Sequence, residues 1–324
     1  MKLKILSILA LLIAITILLC NLPTKPNYSR IFIFGDSLSD AGNNPNEEDY
    51  NCEGRWSNGI VWNEYLAPML SIKTPTKSTK YKEGDFIETG DTNFAHGGAM
   101  TAHGITELVV PSIHEQIVGD VRFINENSVK NTDIGFDRYK TNFKADDLIL
   151  TWGGANNLFF SFRTKVISRF EKEGEIAANE MKKNLELLIE RDAKNIVVLN
   201  LPNIGATPRY NKNAEENSMT KEQATEYSQS FNKVLKEAIR ELRVKYQDVN
   251  FMEVDIYALL NDILANPKQY DINNITDPMI DSLNAAKTDK SLSSNPADYL
   301  FYDDVHLTTA GHKLIATFVK NNIK

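Results

Sequence analysis

The chain reads as an α/β protein, a three-layer α/β/α sandwich around a central parallel sheet. Three observations predict this. Short apolar runs recur at Ile31–Phe34, Asp147–Trp152, Asn195–Asn200 and Asn250–Asp255, each with the length and β-branched content of a buried strand. Segments of helical periodicity separate the later ones, at Glu171–Arg191 and Lys221–Tyr246. Strands that alternate with helices imply right-handed crossovers and a parallel sheet covered on both faces. Glycines stand directly after three strand patterns, at Gly35, Gly97-Gly98 and Gly153-Gly154. In open α/β sheets such carboxyl ends of strands are where ligands bind.

Residues 1–22 differ from everything after them. Lys2 and Lys4 precede an uncharged run from Ile5 to Leu19, a charged segment followed by an apolar one as in a secretory signal. The run is shorter than the ~20 residues of a spanning helix, which favours an export signal over a permanent anchor. Cys20 stands where a lipoprotein would be lipidated, but Leu19 before it is not small. The expectation is an exported protein, secreted or periplasmic. The cysteines are Cys20 and Cys52, so removal of the leader at or beyond Cys20 leaves Cys52 without an intrachain partner.

From residue 31 to 324 a single α/β domain is expected. Its first strand, Ile31–Phe34, ends at Gly35. Apolar residues at helical spacing from Ser57 to Leu70 predict a helix with Ser57 as N-cap. Residues 71–91 are polar and read as a loop, followed by a strand at Thr92–Ala95. A helix is expected over Pro111–Ile124, with proline at its first position. Then come the alternating strands and helices already named. Residues 266–300, rich in Asn, Asp, Ser and Pro, predict a long loop bordering the substrate cleft. A last helix begins near Thr308.

With 324 residues and 42% hydrophobic content, the chain can bury a substantial core. A net charge of -7 without a basic stripe argues against a nucleic-acid partner. No His-Glu-x-x-His, Cys/His cluster, phosphate-cradling Gly-x-x-x-x-Gly-Lys or Gly-x-Ser-x-Gly elbow occurs, so neither metal nor cofactor is expected.

Ser37 follows Gly35-Asp36 at the end of the first strand. A serine hydroxyl needs a base, an orienting carboxylate and oxyanion donors to act as a nucleophile. His306 offers a base near neutral pH, and Asp303, three residues earlier, can bond its Nδ1 in a tight turn. Asp304 points elsewhere if the segment turns once. The other histidines are His96, His103, His114 and His312; His312 lies inside the last helix pattern without an acidic partner at similar spacing. Oxyanion donors can come from Asn93–Met100, with its paired glycines, and from Ile149–Asn157, which ends in two amides.

Together these blocks resemble the GDSL family of serine esterases and lipases, or SGNH hydrolases. They read FGDSLSDAGNN, NFAHGGAM, WGGANN and DDVHLTTAGH in order, with GRWSNGIVWNEYLA at 54–67 and LNLPNIGATPRYN at 199–211. By the resemblance, Ser37 is the nucleophile and supplies one oxyanion N–H. Gly98 supplies a second, with Gly97 its neighbouring alternative, and the Asn156 side chain completes the hole. Asp303 and His306 match the remaining pair. The family usually reads Gly-x-Asn-Asp in the third block, whereas Asn157 stands here for the aspartate, so Asn156 and Asn157 compete for the role. The resemblance implies hydrolysis of lipid carboxylic esters through an acyl-enzyme, closest to the bacterial lysophospholipase and glycerophospholipid–cholesterol acyltransferase branch. The implied partner is an ester or lipid, in solution or at a membrane surface. Rival readings are a short-chain or carbohydrate acetyl esterase, a lipid acyltransferase, and a catalytically silent binding protein.

Overall fold

In a computed structural model, the described residues are 28–43, 52–82, 85–88, 90–102, 110–125, 128–133, 135–210, 219–280 and 298–323. The leader expected over residues 1–22, with Cys20, lies outside them. Four parallel strands form the central sheet: β1 (Arg30–Gly35), β6 (Asp147–Trp152), β7 (Asn195–Leu199) and β8 (Asn250–Val254), side by side in that order. Their register sets Phe32 beside Ile149, Ile149 beside Ile196 and Ile196 beside Phe251.

Side chains of a strand alternate between the two faces, and here each face buries a separate core. Phe32, Phe34, Ile149, Ile196, Val198 and Phe251 pack on one side. Helices α2 (Ile113–Val118), α4 (Phe170–Glu190) and α5 (Lys221–Lys245) cover it. Ile31, Ile33, Leu148, Leu150, Val197 and Val254 pack on the other, under α1 (Trp62–Met69), α6 (Ile256–Ala265) and α7 (Thr309–Asn322). The three-layer α/β/α architecture is thus the one the alternation of patterns predicts. Helix α3 (Ala155–Arg163) leaves the end of β6.

Several local expectations are corrected. The strand expected at Thr92–Ala95 shrinks to Asn93, which bridges Ile33 on the open side of β1 and Lys77 on its own other side. Asn93 accepts the Ala95 N–H on its own side-chain oxygen at 3.0 Å, which bends the backbone out of a regular ladder. The helix expected over Pro111–Ile124 is only Ile113–Val118. A reciprocal Ser112–Glu115 capping box starts it, one residue beyond Pro111, and Gly119 at φ 85° ends it. The chain then forms an antiparallel hairpin of β4 (Asp120–Asn125) and β5 (Ser128–Asp133).

Ser57 is no helix cap. Its hydroxyl donates to the Leu307 carbonyl at 2.9 Å, and α1 begins five residues later, where the Glu64 carboxylate takes the Val61 N–H at 2.9 Å. The polar stretch 71–91 holds a second hairpin, β2 (Thr79–Lys82) with β3 (Asp85–Glu88). Residues 266–300 are not all loop: β9 (Asn274–Pro278) pairs in parallel with β10 (Tyr299–Phe301). None of the described residues of this stretch lines the cleft, and 281–297 lie outside the described residues.

Candidate active site

The carboxyl ends of the parallel strands converge on a cavity of about 370 Å³. Ser37 reaches it from a tight turn after β1, in which the Asp36 carbonyl accepts the N–H groups of Ser39 and Asp40 at 2.9 and 3.0 Å. Only glycine fits at position 35, because a Cβ there would lie 2.4 Å from the Trp152 carbonyl oxygen. The Gln116 amide fixes this residue from α2: its Oε1 accepts the Gly35 N–H at 2.9 Å and its Nε2 donates to the Gly35 carbonyl at 2.8 Å. A buried side chain thus stands in for a neighbouring strand just before the serine.

His306 Nε2 lies 2.8 Å from Ser37 Oγ, and His306 Nδ1 lies 2.6 Å from Asp303 Oδ2. The other Asp303 oxygen accepts the backbone N–H groups of Val305 and His306 at 2.9 and 2.7 Å. Carboxylate and imidazole are therefore held by the same turn. The Asp304 side chain points away, onto Arg209 Nε at 2.7 Å. Burial works against charge on His306, yet the Asp303 carboxylate outweighs it and raises the imidazole above its ordinary pKa of 6.5. Burial likewise opposes the charged Asp303, but His306 and the two N–H bonds hold it below the usual carboxylate range. Asp36, fully buried beside Ser37, is pushed up to about 7 by desolvation.

The two alternatives left open by the sequence separate here. The Gly97 N–H donates to Asp40 Oδ2 at 2.8 Å. Gly98, at φ 85°, lines the cavity, and its N–H has no acceptor among the described residues. Asn156 also lines the cavity and spends one amide hydrogen on the Ala99 carbonyl at 3.0 Å. Asn157 faces the other way: its oxygen accepts the Thr101 N–H at 3.0 Å, and its amide donates to Thr101 Oγ1 and Glu180 Oε2 at 2.9 and 3.3 Å. Ser37, Gly98 and Asn156 thus line the same cavity as His306.

His96 and His312 are not bonded to Ser37. His96 is buried, bonded to the Phe94 carbonyl and Thr79 Oγ1, and lowered to about 4 by desolvation. His312 is buried on α7 and lowered to about 3, again by desolvation. His114 lies on α2, and His103 is outside the described residues.

The block at 54–67 contributes none of the residues singled out from the sequence as catalytic. It clamps the base. The Trp56 indole packs against the His306 ring with centroids 5.0 Å apart. Beside the Ser57–Leu307 bond, Asn58 Oδ1 accepts the Thr309 N–H at 2.8 Å, and the Thr309 hydroxyl donates to the Ile60 carbonyl at 2.9 Å. Arg55 and Glu64 lock the block itself with two bonds of 2.9 and 2.8 Å. Asp40 and Asn43 are scaffold as well. Asp40 ties the serine turn to Gly97, and Asn43 bonds the Asn93 and Ala95 carbonyls at 2.8 Å each.

A serine, a neutralisable imidazole and a carboxylate in hydrogen-bonded series, on a cavity lined also by Gly98 and Asn156, can carry out acyl transfer. Comparisons with known proteins agree with that chemistry. A GDSL esterase/lipase of Arabidopsis thaliana is 28% identical over 318 residues, covering 88% of this chain and 84% of its own. The phosphatidylcholine-sterol acyltransferase of Aeromonas hydrophila is 26% identical over 332 residues, 95% of this chain and 82% of its own. An anther-specific proline-rich protein of Arabidopsis thaliana is 26% identical over 322 residues, and there the chain spans only 59% of the relative's length. The profile of the GDSL-like Lipase/Acylhydrolase family matches residues 31–319, from β1 through most of α7 and so across every block that builds the site. The chain therefore belongs to the GDSL-like lipases and acylhydrolases, a family of ester hydrolases.

Proposed function

We propose that the protein cleaves the carboxylic ester of an acyl lipid, with a lysophospholipid as preferred substrate, by way of an acyl-enzyme on Ser37. The unbroken Ser37–His306–Asp303 series carries this reading. Ser37 Oγ attacks the ester carbonyl carbon while its proton passes to His306 Nε2. The carbonyl oxygen becomes an oxyanion held by the N–H groups of Ser37 and Gly98 and by the Asn156 amide. Collapse breaks the bond to the alcohol, which leaves with the proton from His306. Water then attacks the acyl-enzyme, gives a proton to the same nitrogen, and the fatty acid departs as Ser37 regains its hydrogen. Asp303 keeps the imidazole oriented and favours the imidazolium that forms in each half.

The lipid assignment draws on the apolar walls of the cavity, among them Leu38, Val110, Pro202, Ile204 and Val305. It draws too on the phosphatidylcholine-sterol acyltransferase among the relatives. That relative also favours one second reading, in which a lipid hydroxyl replaces water as acceptor. The charged-then-apolar sequence of residues 1–22 supports an exported enzyme that meets its lipid outside the cytoplasm.

Fatty-acid release from lysophosphatidylcholine by the purified chain, with Ser37→Ala in parallel, tests the proposal. Release that disappears in the variant is expected. Ser37-dependent cleavage of a short p-nitrophenyl ester without any release from the lipid would keep the mechanism and overturn the substrate. Release of acyl ester instead of fatty acid when a sterol is added would establish transfer.

A further inference from the structure

Helix α3 presents Asn156, Phe159 and Arg163 to the cavity. Their spacing of i, i+3 and i+7 places them on one helical face. At 1.5 Å per residue, Arg163 stands about 10 Å along the axis from the oxyanion amide. Arg163 is exposed, rests over the Phe160 ring at 5.9 Å, and has no carboxylate partner among the described residues. Arg209 joins it on the cavity wall from the segment after β7. Its backbone N–H bonds the Asp304 carbonyl at 2.9 Å, its Nε takes the Asp304 carboxylate, and its guanidinium lies 4.7 Å over the Phe159 ring. The terminal nitrogens of Arg209 have no partner among the described residues. Asp304 offsets one of the two positive charges, so the wall that holds the arginines carries a net cation, in a cavity lined also by Asp36 and in a chain of net charge -7.

We propose that Arg163, with Arg209 beside it, binds a phosphate carried by the substrate itself, on the alcohol side of the ester. The site would then select phosphorylated acyl esters over neutral ones. Guanidinium groups bond phosphate oxygens through parallel N–H donors, and such bonds are about 2.8 Å long. The span from Asn156 to Arg163 leaves room for a glycerol-sized spacer between the ester carbonyl and that phosphate. The inference rests on the reading of Ser37 as nucleophile, and it names what the same site chooses. A purely structural use of Arg163 is the competing account, because a cation in the last turn of a helix complements its dipole.

The test compares kcat/KM of the full chain on lysophosphatidylcholine and on the monoacylglycerol of the same acyl chain. Arg163→Gln, Arg209→Gln and Arg163→Lys are measured in parallel, with Tm for each. The ratio of the two substrates should fall at least about tenfold in Arg163→Gln, mostly through KM, with partial recovery in Arg163→Lys. An unchanged ratio overturns the proposal, and so does a lowered Tm with both substrates affected alike. If inorganic phosphate inhibits monoacylglycerol cleavage through Arg163 while the ratio stays unchanged, the arginines serve a free anion and the substrate assignment is wrong. Absence of Ser37-dependent cleavage of either ester would instead defeat the hydrolase reading beneath it.

Discussion

His306 can accept the Ser37 proton only when neutral, and its pKa is raised above 6.5. The acid limb of kcat/KM should therefore have its midpoint above 6.5, with the rate falling about tenfold per pH unit below it. In the fraction that is ionised around its own midpoint of about 7, Asp36 favours the imidazolium. Asp36→Asn should move the midpoint to lower pH, and a pH–rate profile of the two proteins checks the direction. The paired asparagines make a second contrast. Asn156→Ala should lose ~10²–10³ in kcat, the usual cost of one oxyanion donor, with Tm little changed. Asn157→Ala should do the reverse, because it strips partners from the Thr101 N–H and Glu180 and costs about 1–3 kcal/mol in stability. Kinetics and thermal melts on both variants decide it. Ser37, Asp303 and His306 were readable in the sequence because a tight turn and a strand end restrict them locally. Gly98 and Asn156 came from the family resemblance, with Gly97 and Asn157 as rivals that local sequence does not separate, since identical neighbours differ only in what meets them. Those partners, Asp40, Thr101 and Glu180, lie far away along the chain.

Trp56, Ser57 and Asn58 form a small brace whose contacts all fall on the segment around His306. Gly97 completes it: a Cβ there would lie 2.1 Å from the Trp56 indole nitrogen and 2.7 Å from its Cε2. Gly97→Ala should push the indole off the imidazole, lowering kcat at least about tenfold while substrate binding changes less. Steady-state kinetics measure that split, and Trp56→Phe should keep most of the rate. The brace was invisible beforehand because it joins residues about 250 positions apart. The long helices α4 and α5 and the strands β6, β7 and β8 were legible to within a residue or so, since each buries a full periodic face. Shorter elements were not. The end of α2 is set by the left-handed Gly119, and two hairpins were missed, β2–β3 where polar composition suggested loop and β4–β5 where the helix was expected to run on.

Two buried neutral histidines and two buried protonated carboxyl groups act in opposition across the molecule. His96 and His312, at about 4 and about 3 in the fold against 6.5 in the open chain, make stability fall as pH drops below 6.5. Asp36 and Asp40, at about 7 and about 6 against 3.8, hold protons that the unfolded chain lacks, so they make stability rise as pH falls. Between pH 5 and 6 the pairs nearly cancel, and the urea midpoint should be almost flat. Asp40→Asn removes most of one compensating proton, so the variant should lose about 1 kcal/mol per pH unit on acidification through that window. Urea titrations of both proteins at pH 5, 5.5 and 6 test it.

The nucleophile and its base stand 269 positions apart, and this separation imposes an order in time. During synthesis Ser37 leaves the ribosome long before His306, and for that interval it is an ordinary alcohol. The nascent chain is thus inert towards esters until its final segment docks under the tryptophan. Labelling by a fluorophosphonate would accordingly report completion of folding rather than appearance of the serine.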